Sequence, residues 1–133
     1  GFRPEVHGQK NVLALRLNAR SLTEQQLGQN SKLPADAVRL FRKVEVPSSP
    51  GARLSFRVGH EPKQNWKLSI CHGSCRLHSS IIDDATAPGG WQTVNVDLSE
   101  YAGKTIHLVV TCSASTYPSQ NWVYLQGPGD PVP

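Results

Sequence analysis

Ala52-Arg-Leu-Ser-Phe-Arg-Val58 sets Leu54, Phe56 and Val58 against Arg53, Ser55 and Arg57. A period of two puts the apolar set on one face and the polar set on the other, as in an antiparallel strand with one buried and one wet side. The same alternation recurs outward along the chain. Asn11 to Leu17 carries Leu13, Leu15 and Leu17 in one phase, and Val38 to Val46 carries Val38, Leu40, Val44 and Val46, with Arg42 as the exception. Trp66 to Cys71 and Cys75 to Ile82 flank His72-Gly-Ser74 as the arms of a hairpin. Trp91 to Leu98 and Thr105 to Thr111 form another alternating pair, and Asn121 to Gln126 closes the set. About eight short strands punctuated by Gly, Pro, Ser and Asn predict an all-β fold, an antiparallel β-sandwich of jelly-roll type, rather than a βαβ fold.

Helix is scarce. Ser21 to Gly28 is the one candidate, with capping-box spacing between Ser21 and Glu24. Leu98-Ser-Glu-Tyr-Ala-Gly103 reads as a strand end running into one helical turn stopped by Gly103, with Leu98 and Tyr101 packing inward. The 133 residues suit one sandwich domain over 1–126, and the Gly/Pro-rich 127–133 is expected to begin a linker. No apolar run approaches the ~20 residues of a membrane-spanning helix, so no membrane partner is expected. The start shows no export leader, so any leader lies outside these residues. Residues 1–76 hold 13 Lys+Arg against 5 Asp+Glu, whereas residues 77–133 hold 1 against 5. No nucleic-acid motif or run of consecutive basic residues accompanies that charge, so nucleic acid is not an expected partner, whereas an acidic glycan stays open.

Three blocks carry a family resemblance: Arg3-Pro-Glu-Val-His-Gly-Gln-Lys-Asn-Val-Leu13, Val58-Gly-His-Glu-Pro-Lys-Gln-Asn-Trp66 and Gly90-Trp-Gln-Thr-Val-Asn-Val-Asp-Leu-Ser-Glu-Tyr-Ala-Gly-Lys104. Together they resemble the galactose-binding-like β-sandwich modules of large secreted bacterial proteins, akin to the novel carbohydrate-binding modules that accompany glycoside hydrolases. The resemblance implies a non-catalytic accessory domain, secreted or periplasmic, next to other domains of a longer parent chain. Gln64-Asn65 and Cys71-His-Gly-Ser-Cys75 depart from the expected Gly-Asp and Asp-Gly, and both departures fall in loops where specificity would lie.

Pro62-Lys-Gln-Asn-Trp66 and Pro118-Ser-Gln-Asn-Trp122 repeat P-x-Q-N-W, each leading into a strand. If the copies are neighbours, Gln64, Asn65, Gln120 and Asn121 offer paired donors and acceptors to sugar hydroxyls, and Trp66 or Trp122 offers an indole face. His60 stands at the mouth of the first loop and adds a hydrogen bond, while Arg57 and Lys63 add attraction to an acidic polysaccharide or oligosaccharide. The competing reading makes both Trp core residues and the amides turn residues. Trp91 sits in the opposite phase to Val94, Val96 and Leu98, which allows either a surface platform or packing over a sandwich end.

The three cysteines leave one odd. Cys71 and Cys75, facing one another across the hairpin, are expected to form a disulfide, leaving Cys112 a buried thiol. A zinc site from Cys71, Cys75 and His72 or His78 competes, but C-x3-C does not match the usual paired spacings, and no metal or cofactor is expected. Asp83-Asp84 is the only adjacent carboxylate pair, more often a solvated turn than a calcium site. No G-x-S-x-G, H-E-x-x-H or Walker loop occurs, and Glu61, Asp83 and Glu100 lack an evident catalytic partner, so the domain is read as no enzyme. Non-catalytic carbohydrate binding is the leading function; a structural or protein-docking module that binds no sugar is the alternative.

Overall fold

A computed structural model describes residues 1–19, 37–115 and 119–133; the helix expected over Ser21 to Gly28 lies outside the described residues. Among the described residues there are nine strands: β1 (Phe2–Val6), β2 (Gln9–Ala19), β3 (Ala37–Glu45), β4 (Arg53–His60), β5 (Trp66–His72), β6 (Cys75–Ile82), β7 (Trp91–Asp97), β8 (Thr105–Ser113) and β9 (Ser119–Gln126). They form a five-stranded sheet in the order β1-β2-β9-β4-β7 and a four-stranded sheet in the order β3-β8-β5-β6, with neighbouring strands antiparallel throughout the described residues. The expected all-β sandwich is therefore the fold. Leu54 and Phe56 of β4 stand opposite Val96 and Val94 of β7, and with Val58 they enter the core beside Leu68 and Ile70 of β5 and Ile106, Leu108 and Val110 of β8. Arg53, Ser55 and Arg57 stay exposed on the other face, so the alternation seen in the sequence is the alternation of the sheet.

The ninth strand is β1. Its Phe2-Arg-Pro-Glu-Val6 lacks the signature because it is an edge strand that buries only Val6 and tolerates Pro4. A two-residue turn joins it to β2, with His7 (φ 46) and Gly8 (φ 83) both left-handed, the backbone that favours tight hairpins. At the other end of β7, Asp97 accepts the Ser99 N–H at 2.9 Å, Ser99–Tyr101 makes one 3₁₀ turn and Gly103 (φ 77) stops it, with Leu98 buried as expected. The Ser99 hydroxyl first, and then this N–H bond, hold the Asp97 carboxyl below its usual range. Residues 127–133 lie against the sandwich: Arg42 donates to Pro128 O and Gly129 O at 2.6 and 2.9 Å, and Val132 pairs with Arg53.

The cysteines depart from expectation, because all three are free. The hairpin closes on Gly73-Ser74, so Cys75 pairs with His72, while Cys71 pairs with Arg76 beyond a bulge at Ile70/Cys71. Cross-strand partners share a face and consecutive residues do not, so Cys71 and Cys75 point to opposite sides of the sheet. Cys75 instead approaches the Tyr101 hydroxyl, a contact that raises the phenol above its usual range. Among the described residues no group of three His, Cys, Asp or Glu is arranged to hold a metal. Burial pushes the Cys112 thiol up to about 12. A thiolate is the reacting species, so exposed Cys75 should react readily with a thiol reagent in the native protein and Cys112 only after unfolding. Three thiols should be counted in denaturant without reductant; a count of one would restore the Cys71–Cys75 bridge.

Candidate functional site

The five-stranded sheet is apolar on both faces at one place. On its outer face Val6, Val12, Ala14 and Tyr124 form a second buried cluster, with Trp91 and Trp122 packed against it and only partly buried. The ladder explains the gathering. Ala14 pairs with Tyr124, Tyr124 with Gly59 and Gly59 with Trp91, while Arg16 pairs with Trp122 one step along. Trp122 lies parallel to Tyr124, with ring centroids 6.5 Å apart and 9° between planes. Trp91 occupies the space that a side chain at Gly59 would need: a Cβ there would sit 2.7 Å from Gly90 O and 3.0 Å from Trp91 Cε3. Its indole N–H donates to Val6 O at 3.2 Å, so the β1–β2 hairpin folds over toward the far edge of the sheet.

Arginines complete this surface. The Arg3 guanidinium lies 4.2 Å from the Trp122 ring centroid and 5.4 Å from that of Tyr124, and it donates to the Tyr124 hydroxyl at 3.2 Å. Arg16 lies 5.4 Å from the Trp122 centroid. Tyr124 in turn donates to the Glu61 carboxylate, whose other oxygen is 3.8 Å from His7 Nε2. Burial first, then the Glu61 carboxylate, push the Tyr124 phenol up to about 12, so it remains a neutral donor across the physiological range.

Beside this network the loop end holds a cleft of about 400 Å³ lined by His7, His60, Pro62, Asp84 and residues 87–90. His60 is buried, with its ring nitrogens 2.7 Å from Glu61 O and 3.2 Å from Ala87 O, so it ties the β4–β5 loop to the β6–β7 loop. Asp84 accepts the Lys63 N–H at 3.2 Å. Asp83 turns the other way and accepts the Ala85 and Thr86 N–H groups at 3.0 and 2.9 Å, bonds that lower its carboxyl from the usual range, the Thr86 one most. The two adjacent carboxylates thus serve separate turns.

The Gln-Asn-Trp segments of the two copies are neighbours, and Gln64 and Asn121 bond across them while Asn65 bonds Ser115. Gln64 Oε1 accepts the Trp122 N–H at 2.9 Å, Asn121 Nδ2 donates to Asn65 O at 2.6 Å, and Asn65 Oδ1 accepts from Ser115. Asn121 is buried, and Gln120 pairs with Asn18 in the ladder. Two of the expected contacts to sugar need correction. Trp66 is 0% exposed and donates its indole N–H to Gly59 O at 2.9 Å, which makes it a core residue rather than a stacking face. His60, 1% exposed, holds the loops and presents no free ring face. Trp122 alone of the two repeat indoles reaches the outer surface. Parity carried that signal: Trp66 is in phase with the core residues Leu68 and Ile70, whereas Trp122 is out of phase with Val123 and Leu125. Tyr124 shares the phase of Trp122 and was legible by the same rule; nothing in the sequence marked Arg3, His7 or Glu61 as its neighbours.

No family model matches the chain, and no curated protein matches it. Among solved structures it is similar to TmCBM61, a carbohydrate-binding module determined in complex with beta-1,4-galactotriose, at 12% identity and a TM-score of 0.55 over 90% of this chain and 69% of that one. At that identity the likeness is one of fold, and it matches the sandwich described above.

Proposed function

We propose that this domain is a non-catalytic carbohydrate-binding module of a larger secreted or periplasmic protein, and that its glycan lies along the outer face of the five-stranded sheet. The observation that carries the reading is the pair of partly exposed indoles, Trp91 and Trp122, mounted on either side of the buried Tyr124. Trp91 on the outside of the sheet offers apolar area to sugar C–H faces, Trp122 carries the Arg3 guanidinium over its ring, and the adjacent cleft offers His7 and Asp84 to hydroxyls. The fold likeness to a carbohydrate-binding module supports the same reading at a coarse level. A ligand cleft with convergent polar groups also favours it over a docking module that binds no sugar.

The test is a panel of neutral, carboxylated and sulfated polysaccharides in affinity gels, run with the natural sequence and with Trp122→Ala. Loss of the indole and of its support for Arg3 should weaken binding about tenfold or more, worth roughly 1.4 kcal/mol, with the melting temperature nearly unchanged because the indole is only partly buried. Unaltered retardation of the variant, or no retardation of either protein by any glycan, would turn the assignment toward the docking module.

A further inference from the structure

The charge pattern on this face names a class of glycan. By register, Glu5 stands opposite Lys10 and Asp97 opposite Arg53, so each acidic strand residue of the face has a cation on the neighbouring strand, though neither pair is within 4.0 Å. Arg3 stands opposite Val12, and Arg57 opposite Gln126 and Thr93. Among the described residues no carboxylate lies within 4.0 Å of either guanidinium. Glu61, the nearest acid in the network, is engaged by the Tyr124 hydroxyl and stands one group removed from Arg3.

Arg3 is also held in place. A guanidinium carries five N–H donors, and the bond to Tyr124 uses one of them. It is held 4.2 Å from the Trp122 ring centroid by cation–π attraction, and the side chain is half-buried. The surface a ligand meets at Trp122 is therefore a guanidinium on an indole, not a bare ring. A neutral sugar pressed on that group would strip water from a cation and return no charge, which is unfavourable. An oxyanion with two coplanar oxygens would return both charge and paired hydrogen bonds to a donor fork whose ordering cost is already met.

Building on the carbohydrate reading, we propose that the glycan is acidic and that the Arg3 guanidinium over Trp122 takes the oxygen pair of a carboxylate or sulfate on the sugar. Arg57, on the same face, adds attraction along the chain of the ligand.

The experiment is calorimetric titration of the intact domain with oligogalacturonate, with its methyl ester on the same backbone, with chondroitin sulfate oligosaccharides and with a neutral galactan oligosaccharide. The natural sequence should bind at least one acidic ligand about tenfold or more tightly than the neutral ones, weakening as salt rises. Preference for the uronate or for the sulfate ester identifies which oxyanion is read. Arg3→Ala should abolish the preference, and Arg3→Lys should keep part of the salt dependence while falling at least about threefold short, since an ammonium has no fork; thermal melts establish that both variants fold. Equal affinity for the galacturonate and its ester together with no sulfate preference, or a preference that survives Arg3→Ala, overturns the proposal and leaves carbohydrate binding standing. Equally tight binding of poly-aspartate overturns it too, as attraction by charge alone. Failure of every glycan to bind defeats the carbohydrate reading itself.

Discussion

Trp66→Ala is expected to destabilise the domain by about 3–5 kcal/mol, the usual cost of removing a large aromatic from a packed core. Trp66 is fully enclosed between the two sheets, with Leu68 and Ile70 following it on the same face of β5. The substitution would also leave Gly59 O without the indole donor that now bonds it at 2.9 Å. Against a typical total stability of about 5–15 kcal/mol this is a large share. A denaturant titration should show the midpoint falling steeply with little change in slope, while Trp122→Ala, made in the same repeat motif, should barely move it. Comparable losses in both variants would mean that the two indoles are structurally alike, contrary to the opposite faces they occupy.

Gly59→Ala is the second large effect, and it reaches the surface site from inside the sheet. Gly59 lies between the two indoles: its carbonyl receives the Trp66 N–H from the core side, and its Cα lies beneath Trp91 on the outer side. A methyl group there would meet backbone Gly90 O at 2.7 Å and the Trp91 ring at 3.0–3.2 Å, distances that require both to move. The ring can swing, but the carbonyl belongs to a turn whose Gly90 (φ 92) already packs against His7. Overpacking of this kind costs about 1–3 kcal/mol. The check is tryptophan fluorescence beside a thermal melt: the variant should melt lower and show a more solvent-exposed Trp91 even while folded. An unchanged spectrum and melt would show that the tight contact at Gly59 does not position that indole.

The sandwich was legible because a strand with one buried face writes its geometry as alternation, and Leu54-Ser-Phe-Arg-Val58 does so cleanly. β1 was illegible because an edge strand burying a single residue writes nothing. The meeting of the two P-x-Q-N-W copies was legible as repetition, but their use was not: whether Gln64 faces a ligand or the Trp122 N–H depends on the distance between two loops 58 positions apart. The hairpin cysteines were misread because the turn takes two residues, Gly73-Ser74, rather than three, which pairs Cys75 with His72 and Cys71 with Arg76. Arg3 lies 121 positions from the tyrosine it bonds, and only the closed sheet brings them together.

The position of β9 has a consequence for how the chain assembles. Among the described residues it is the last strand to be reached along the chain and the middle strand of its sheet, standing between β2 and β4. Until it is synthesised, the β1–β2 hairpin and the β4–β7 pair each expose an unpaired edge, and nothing joins them. Insertion of β9 zips both edges at once and brings Trp122 and Tyr124 to Arg3 in the same step. Without β9 the sheet is left as two separate pieces, and the outer aromatic surface is complete only when that strand joins them.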